Sequence, residues 1–147
     1  MTNIALARRI ISRLRGEGVE DFCVCGGSRN APLLAVVGDA YTFVDERSAA
    51  FFALGRAKRD GRPVAVITTS GTAAAELLPA TVEAYYSGVP LVLVTADRPA
   101  RFRGTAAPQA IEQAGLFGVY AVTDIDRWDK RTPLHINVEF DEPLFDE

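Results

Sequence analysis

The amino-acid sequence predicts an α/β domain of three layers, with helices on both faces of a mostly parallel sheet. Two observations carry this. The runs Pro63-Val-Ala-Val-Ile67 and Pro90-Leu-Val-Leu-Val94 have no polar face, as strands covered on both sides do. Helical periodicities lie between and around such runs, and a strand–helix alternation builds a parallel sheet.

Taken in order, Ile4, Ala7, Ile10, Ile11 and Leu14 fall on one helical stripe with arginines opposite, and Gly16 and Gly18 stop the helix. Asp21–Cys25 reads as a buried strand. The loop Gly26-Gly27-Ser28-Arg29-Asn30 follows, then a short helix from Ala31-Pro32 to Val37. A strand over Tyr41–Val44 delivers Asp45-Glu46-Arg47 to a helix over Ser48–Asp60, closed by Gly61, with Ala49, Ala53 and Ala57 on a face of small residues beside Phe52. The strand at Pro63–Ile67 leads into Thr69-Ser70-Gly71-Thr72, and Thr72–Ser87 reads as one long alanine-rich helix. Pro90–Val94 ends in a further polar corner, Thr95-Ala-Asp-Arg98-Pro99. Residues 100–107 have no periodicity and read as a loop. Pro108–Phe117 can form a short helix, and Val119–Val122 and Leu134–Val138 read as strands on either side of a charged stretch around Trp128. The domain is expected to span residues 1–138 and residues 139–147 to begin an interdomain linker, so the chain reads as part of something longer.

Composition narrows the function classes. At 147 residues, 48% hydrophobic, the chain is long enough for one proper core and one domain. A net charge of −3 argues against nucleic acid as the main partner. The acidity is local: residues 124–147 hold eight acids and three bases, and the body before them is slightly basic. Cys23 and Cys25 lie on one face of one strand, poor geometry for a disulfide, and no further Cys or His completes a metal site; they read as reduced core thiols of a cytoplasmic protein. No apolar run is long enough for a membrane span, and the amphipathic, arginine-bearing start is not a signal peptide.

In a parallel sheet the strand-to-helix corners line up along one edge, where ligands bind. Four polar corners are expected there: Ser28-Arg29, Glu46, Ser70-Gly71-Thr72 and Arg98. Each alone has an ordinary reading, as a surface ion pair, a charge that complements a helix dipole, or a cap. Together they point to a site. A carboxylate beside a turn with free backbone N–H groups suits a polar, flat ligand better than a bare anion, which Glu46 would repel. His135, alternating with apolar residues, and Trp128, in a charged loop, read as packing residues.

The stretch from Asp45 to Pro99 resembles the pyrimidine-binding domain of thiamine diphosphate enzymes. The resemblance rests on Glu46 at a strand end, the helix Ala50–Ala57, the strand Val64–Ile67, Thr69-Ser70-Gly71, the alanine-rich helix Ala73–Tyr86, and Pro90–Thr95. Gly27-Ser28-Arg29-Asn30-Ala31-Pro32, Thr95-Ala96-Asp97-Arg98-Pro99 and Gln109-Ala110-Ile111-Glu112-Gln113 narrow it to the 2-succinyl-5-enolpyruvyl-6-hydroxy-3-cyclohexene-1-carboxylate synthases of menaquinone biosynthesis, extending it from about Gly18 to Leu144. The sequence departs from that pattern at Gly26, where proline is common, and at Pro108, where asparagine is common.

The resemblance implies a thiamine diphosphate-dependent transferase that decarboxylates 2-oxoglutarate and adds the remaining unit to isochorismate. By it, Glu46 would hydrogen-bond N1′ of the cofactor's aminopyrimidine and favour the imino tautomer, with Ser70, Gly71 and Thr72 also at the cofactor. Arg29 and Arg98 would hold carboxylates of isochorismate, with Ser28 and Gln109 adding neutral hydrogen bonds; a guanidinium fork suits a carboxylate. Mg²⁺ and the diphosphate would be held by a second domain marked by Gly-Asp-Gly or Gly-Asp-Ser, which this sequence lacks. This domain is therefore expected to be inactive alone and to work within a homodimer or tetramer. Two other readings remain open at this level: a subunit of a split thiamine diphosphate-dependent decarboxylase or transferase, and a noncatalytic α/β binding module.

Overall fold

The computed structural model describes residues 1–145; Asp146 and Glu147, the end of the expected linker, lie outside them. Five strands, β1 (Asp21–Val24), β2 (Tyr41–Thr42), β3 (Val64–Thr68), β4 (Leu91–Asp97) and β5 (Leu134–Glu139), form one sheet in the order β2-β1-β3-β4-β5. Every neighbouring pair is parallel. The chain leaves β1 in one direction to reach β2 and returns past it to β3, so the strand order reverses between β1 and β3. That is where an open parallel sheet leaves a crevice at its carboxyl edge.

Both faces of the sheet are covered, which is why its strands are apolar throughout. Phe22, Val24, Ala65, Ile67, Val92 and Val94 share a core with α1 (Asn3–Gly16) and α2 (Ala31–Val37). The alternate residues Cys23, Val64, Val66, Leu91 and Leu93 pack with α3 (Glu46–Asp60) and α5 (Leu78–Ser87). Cys25 joins the second core, so the two thiols do lie on one face; both are free, and burial pushes each up to about 12. Helix starts follow local chemistry: the Thr2 side chain accepts from Ala5 N, and Asp45 Oδ1 accepts from Ser48 N at 2.7 Å, so α3 begins at Glu46 rather than Ser48.

Three expectations need correction. The helix over Thr72–Ser87 is two helices, α4 (Thr72–Ala75) and α5. Pro79 has no N–H to give the Ala75 carbonyl, and its ring crowds that carbonyl, so the chain re-starts with proline in the first turn of α5. Pro108–Phe117 forms turns instead of a helix. Gln109 and Gly115 adopt left-handed φ values of 54° and 73°, and the side chain of Gln113 is drawn into the sheet's edge. Val119–Val122 contributes only one parallel bridge, Val122 to Leu134, because residues Gly118–Tyr120 coil into a 3₁₀ turn. A further 3₁₀ turn, Ala100–Phe102, lies in the expected loop. After β5 the chain folds back: Phe140 is fully buried in the α1/α2 core, and its N–H donates to the Asp97 carbonyl.

Candidate functional site

All five strands end on one edge, so the four predicted corners share it. At the crevice, the loop after β1 touches the loop after β3: a Cβ on Gly27 would lie 2.6 Å from the Thr69 Cβ. The β1 loop is held closed by Asn30, fully buried, whose Oδ1 accepts from Gly27 N at 2.9 Å while its Nδ2 donates to the Cys25 carbonyl at 2.8 Å. Gly26 therefore stands in a loop pinned by its neighbours.

Glu46 is half-buried at the start of α3, beside the edge strand β2. Among the described residues its carboxylate has no hydrogen bond or ion pair. Its charge is felt by Cys25, where it adds to burial in raising that thiol. Ser70 is 3% exposed and its hydroxyl likewise has no partner among the described residues. The Thr68 hydroxyl, at the end of β3, is fully buried and has no partner among the described residues. The unpaired Glu46 carboxylate and Ser70 hydroxyl leave an acceptor and a donor at the carboxyl edge of the sheet for a polar ligand.

The Ser70-Gly71-Thr72 turn does not present all the free N–H groups that its sequence suggested. Gly71 takes φ 78° and ψ −132°, a conformation glycine tolerates, and its N–H donates to Gln113 Oε1 at 2.9 Å. Thr72 is exposed and opens a helix of only four residues. The close approach at Gly71 is to Gln109, whose Cα would meet an added Cβ at 2.9 Å. Arg98 joins the same cluster, since its Nε donates to the Pro108 carbonyl at 2.8 Å and its guanidinium lies over Phe102. The hydrogen bond from Arg98 is accepted by the backbone carbonyl of residue 108, which proline retains. Gly71, Gln109 and Arg98 are brought together.

Arg29 is not joined to them by any hydrogen bond. Its side chain is 5% exposed and turned to the segment after β5, where Nη1 donates to the Phe140 carbonyl at 2.9 Å and Nη2 meets Glu142 Oε1 at 3.0 Å. Ser28 beside it is exposed. His135 and Trp128 are buried: His135 packs edge-on against Phe117, and Trp128 Nε1 donates to the Thr132 carbonyl. Sequence reasoning missed Asn30, Gln113, Asn137 and Asp97, which build the floor of the edge. Gln113 and Asp97 stood in the quoted stretches without a role, and Asn137 was a polar residue within an apolar strand. A cavity of about 1170 Å³ lies elsewhere, between α1 and the outer edge of β5, and includes none of Glu46, Ser70, Gly71 and Arg98.

The chain is similar to known proteins over most of its length. Residues 4–116 match the family described as thiamine pyrophosphate enzyme, N-terminal TPP binding domain. The 2-succinyl-5-enolpyruvyl-6-hydroxy-3-cyclohexene-1-carboxylate synthase of Bdellovibrio bacteriovorus is 49% identical over 164 aligned residues, covering 99% of this chain and 31% of that protein. The synthase of the same name from Akkermansia muciniphila is 57% identical over 143 residues, covering 86% of the chain and 27% of the relative. That from Corynebacterium diphtheriae is 46% identical, again over 99% of the chain and 31% of the relative. The chain spans about a third of the length of the curated relatives it matches.

Proposed function

This chain belongs to the family of thiamine pyrophosphate enzyme N-terminal TPP binding domains, and from that membership we propose that it is the pyrimidine-binding portion of a 2-succinyl-5-enolpyruvyl-6-hydroxy-3-cyclohexene-1-carboxylate synthase. The complete enzyme would be a transferase that decarboxylates 2-oxoglutarate and joins the product to isochorismate in menaquinone biosynthesis, in the cytoplasm and as a homo-oligomer. Identities of 46–57% to synthases of that name support the reading. The observation that carries it is Glu46, a half-buried carboxylate at the ligand edge with no partner of its own among the described residues.

When bound, thiamine diphosphate supplies the electron sink for loss of carbon dioxide from a 2-oxo acid. Glu46 would hydrogen-bond N1′ of the aminopyrimidine and so favour the ring's imino tautomer. Ser70 would give the ring a hydroxyl, Gly71 would let the chain come close, and Thr72 would stand beside them at the helix start. Arg98 keeps Nη1 and Nη2 for a substrate carboxylate, since among the described residues only its Nε is engaged, by Pro108. Gln109 adds a neutral hydrogen bond beside it. Arg29 and Ser28 hold a second carboxylate, with Arg29 pre-oriented by Glu142 and Phe140. Mg²⁺ would be held by a diphosphate-binding domain of the complete enzyme.

The test is Glu46→Gln in the complete enzyme. Turnover should fall by about two to four orders of magnitude, with the melting temperature lowered by no more than about 4 °C, since only the charge at the start of α3 is lost. Near-normal turnover would overturn the assignment.

A further inference from the structure

Gln113 is fully buried and comes from a segment with no regular structure. Its Nε2 donates to the Ala96 carbonyl at 3.0 Å and to Asn137 Oδ1 at 2.8 Å, and its Oε1 accepts from Gly71 N at 2.9 Å. Those partners allow one orientation of the carboxamide, since a flip would set a donor against the Gly71 N–H and an acceptor against two acceptors. Asn137 is fixed in the same way: its Nδ2 donates to Asp97 Oδ2 at 2.9 Å, so its Oδ1 is the acceptor. Thr95 Oγ1 donates its one proton to that Oδ1, and must therefore accept from His135 Nε2–H, 2.7 Å away. Asp97, 1% exposed, also accepts from Arg103 at 2.9 Å, and Arg103 reaches Glu139. Each bond in the chain from Gly71 to Arg103 thus has one possible polarity. The carboxyl ends of β3, β4 and β5 are locked together through one carboxamide.

We propose that Gln113 is a positioning residue for the cofactor: it fixes the Ser70-Gly71 turn against the aminopyrimidine before the cofactor arrives. This rests on the reading that Ser70 and Gly71 hold the cofactor. Gly71 owes its place to two things, a backbone conformation that glycine tolerates and the single acceptor that receives its N–H. Nothing else among the described residues bonds that N–H, so Gln113 sets where the turn sits. Binding is tighter when such ordering has been done in advance.

The complete enzyme carrying this domain provides the test, read by cofactor binding and melting temperature. Gln113→Leu leaves Gly71 N–H, Ala96 O and Asn137 Oδ1 without their partner, and cofactor binding should weaken by at least about tenfold. Gln113→Glu can still accept from Gly71, but its second oxygen faces two acceptors and must carry a proton. Its cofactor affinity should approach that of the unaltered enzyme near about pH 5.5 and weaken at least about tenfold by about pH 8, since burial raises a carboxyl from its usual value near ~4.3. The charged or titratable groups facing it are Asp97 through Asn137, with Arg103 behind, and His135 through Thr95; His135, lowered to about 4, stays neutral over this range. Variants that melt lower but bind the cofactor within about twofold of the unaltered enzyme at both pH values would overturn the proposal. Should neither variant fold, hydrogen exchange in the unaltered enzyme decides: the Gly71 amide must already be protected without cofactor, and protection acquired only on loading would refute preordering. Failure of the unaltered enzyme to bind the cofactor would instead strike the reading beneath.

Discussion

Gly27 is the point where the two loops of the crevice meet, and replacing it tests whether that meeting is as tight as described. A Cβ at Gly27 would lie 2.6, 2.7 and 2.9 Å from Cβ, Cγ2 and Oγ1 of Thr69. Non-bonded carbons pack best about 3.5–4.0 Å apart, so Gly27→Ala must push the loops apart by about 1 Å. The backbone φ at Gly27 is not in the left-handed region, so alanine adds no conformational strain and the effect is steric. Thr69 cannot swing aside, because the clash includes its Cβ and the residue is 8% exposed. Overpacking of this kind costs about 1–3 kcal/mol. For a domain of this size that lowers the melting temperature by about 2–4 °C per kcal/mol. Thermal unfolding of Gly27→Ala, Thr69→Gly and the double variant gives the assay. The double variant should be more stable than the sum of the two losses by about 0.5 kcal/mol or more, because Thr69→Gly removes the clashing atoms. If Gly27→Ala melts within about 1 °C of the unaltered protein, or the two losses simply add, the loops do not touch as stated.

Two further outcomes follow from the same edge. Burial lowers His135 from 6.5 to about 4, so between those values the unfolded chain takes up a proton that the folded chain refuses; stability is complete above about pH 6.5 and falls by up to about 3 kcal/mol as pH drops to about 4. His135→Gln, which keeps a donor for Thr95, should flatten that slope in denaturant midpoints measured against pH, and an unchanged slope would place the titration elsewhere. Arg98→Lys removes the fork and the Nε donation to Pro108, so KM for the isochorismate acceptor should rise at least about tenfold while cofactor binding changes by less than about twofold. Equal losses in both would make Arg98 a structural residue.

The sequence by itself determined the architecture and where its corners fall. Two wholly apolar runs could only be strands covered on both faces, and a strand–helix alternation could only make them parallel, so Glu46, Ser70 and Arg98 had to share an edge. Those are local patterns with one tertiary solution. It also marked Gly71 and Gln109, through motifs whose residue types match a known chemistry. The tertiary structure decided which polar groups remain free for a ligand, because that depends on partners far away in sequence. Gly71 N–H looked available and is taken by Gln113. The Arg29 guanidinium looked unengaged and is oriented by Phe140 and Glu142. Residues 108–117 had a helix pattern that lost to left-handed turns at Gln109 and Gly115 and to the three hydrogen bonds a buried Gln113 makes. A carboxamide buried without those partners would be costly, and no periodicity in the sequence records which strands will supply them.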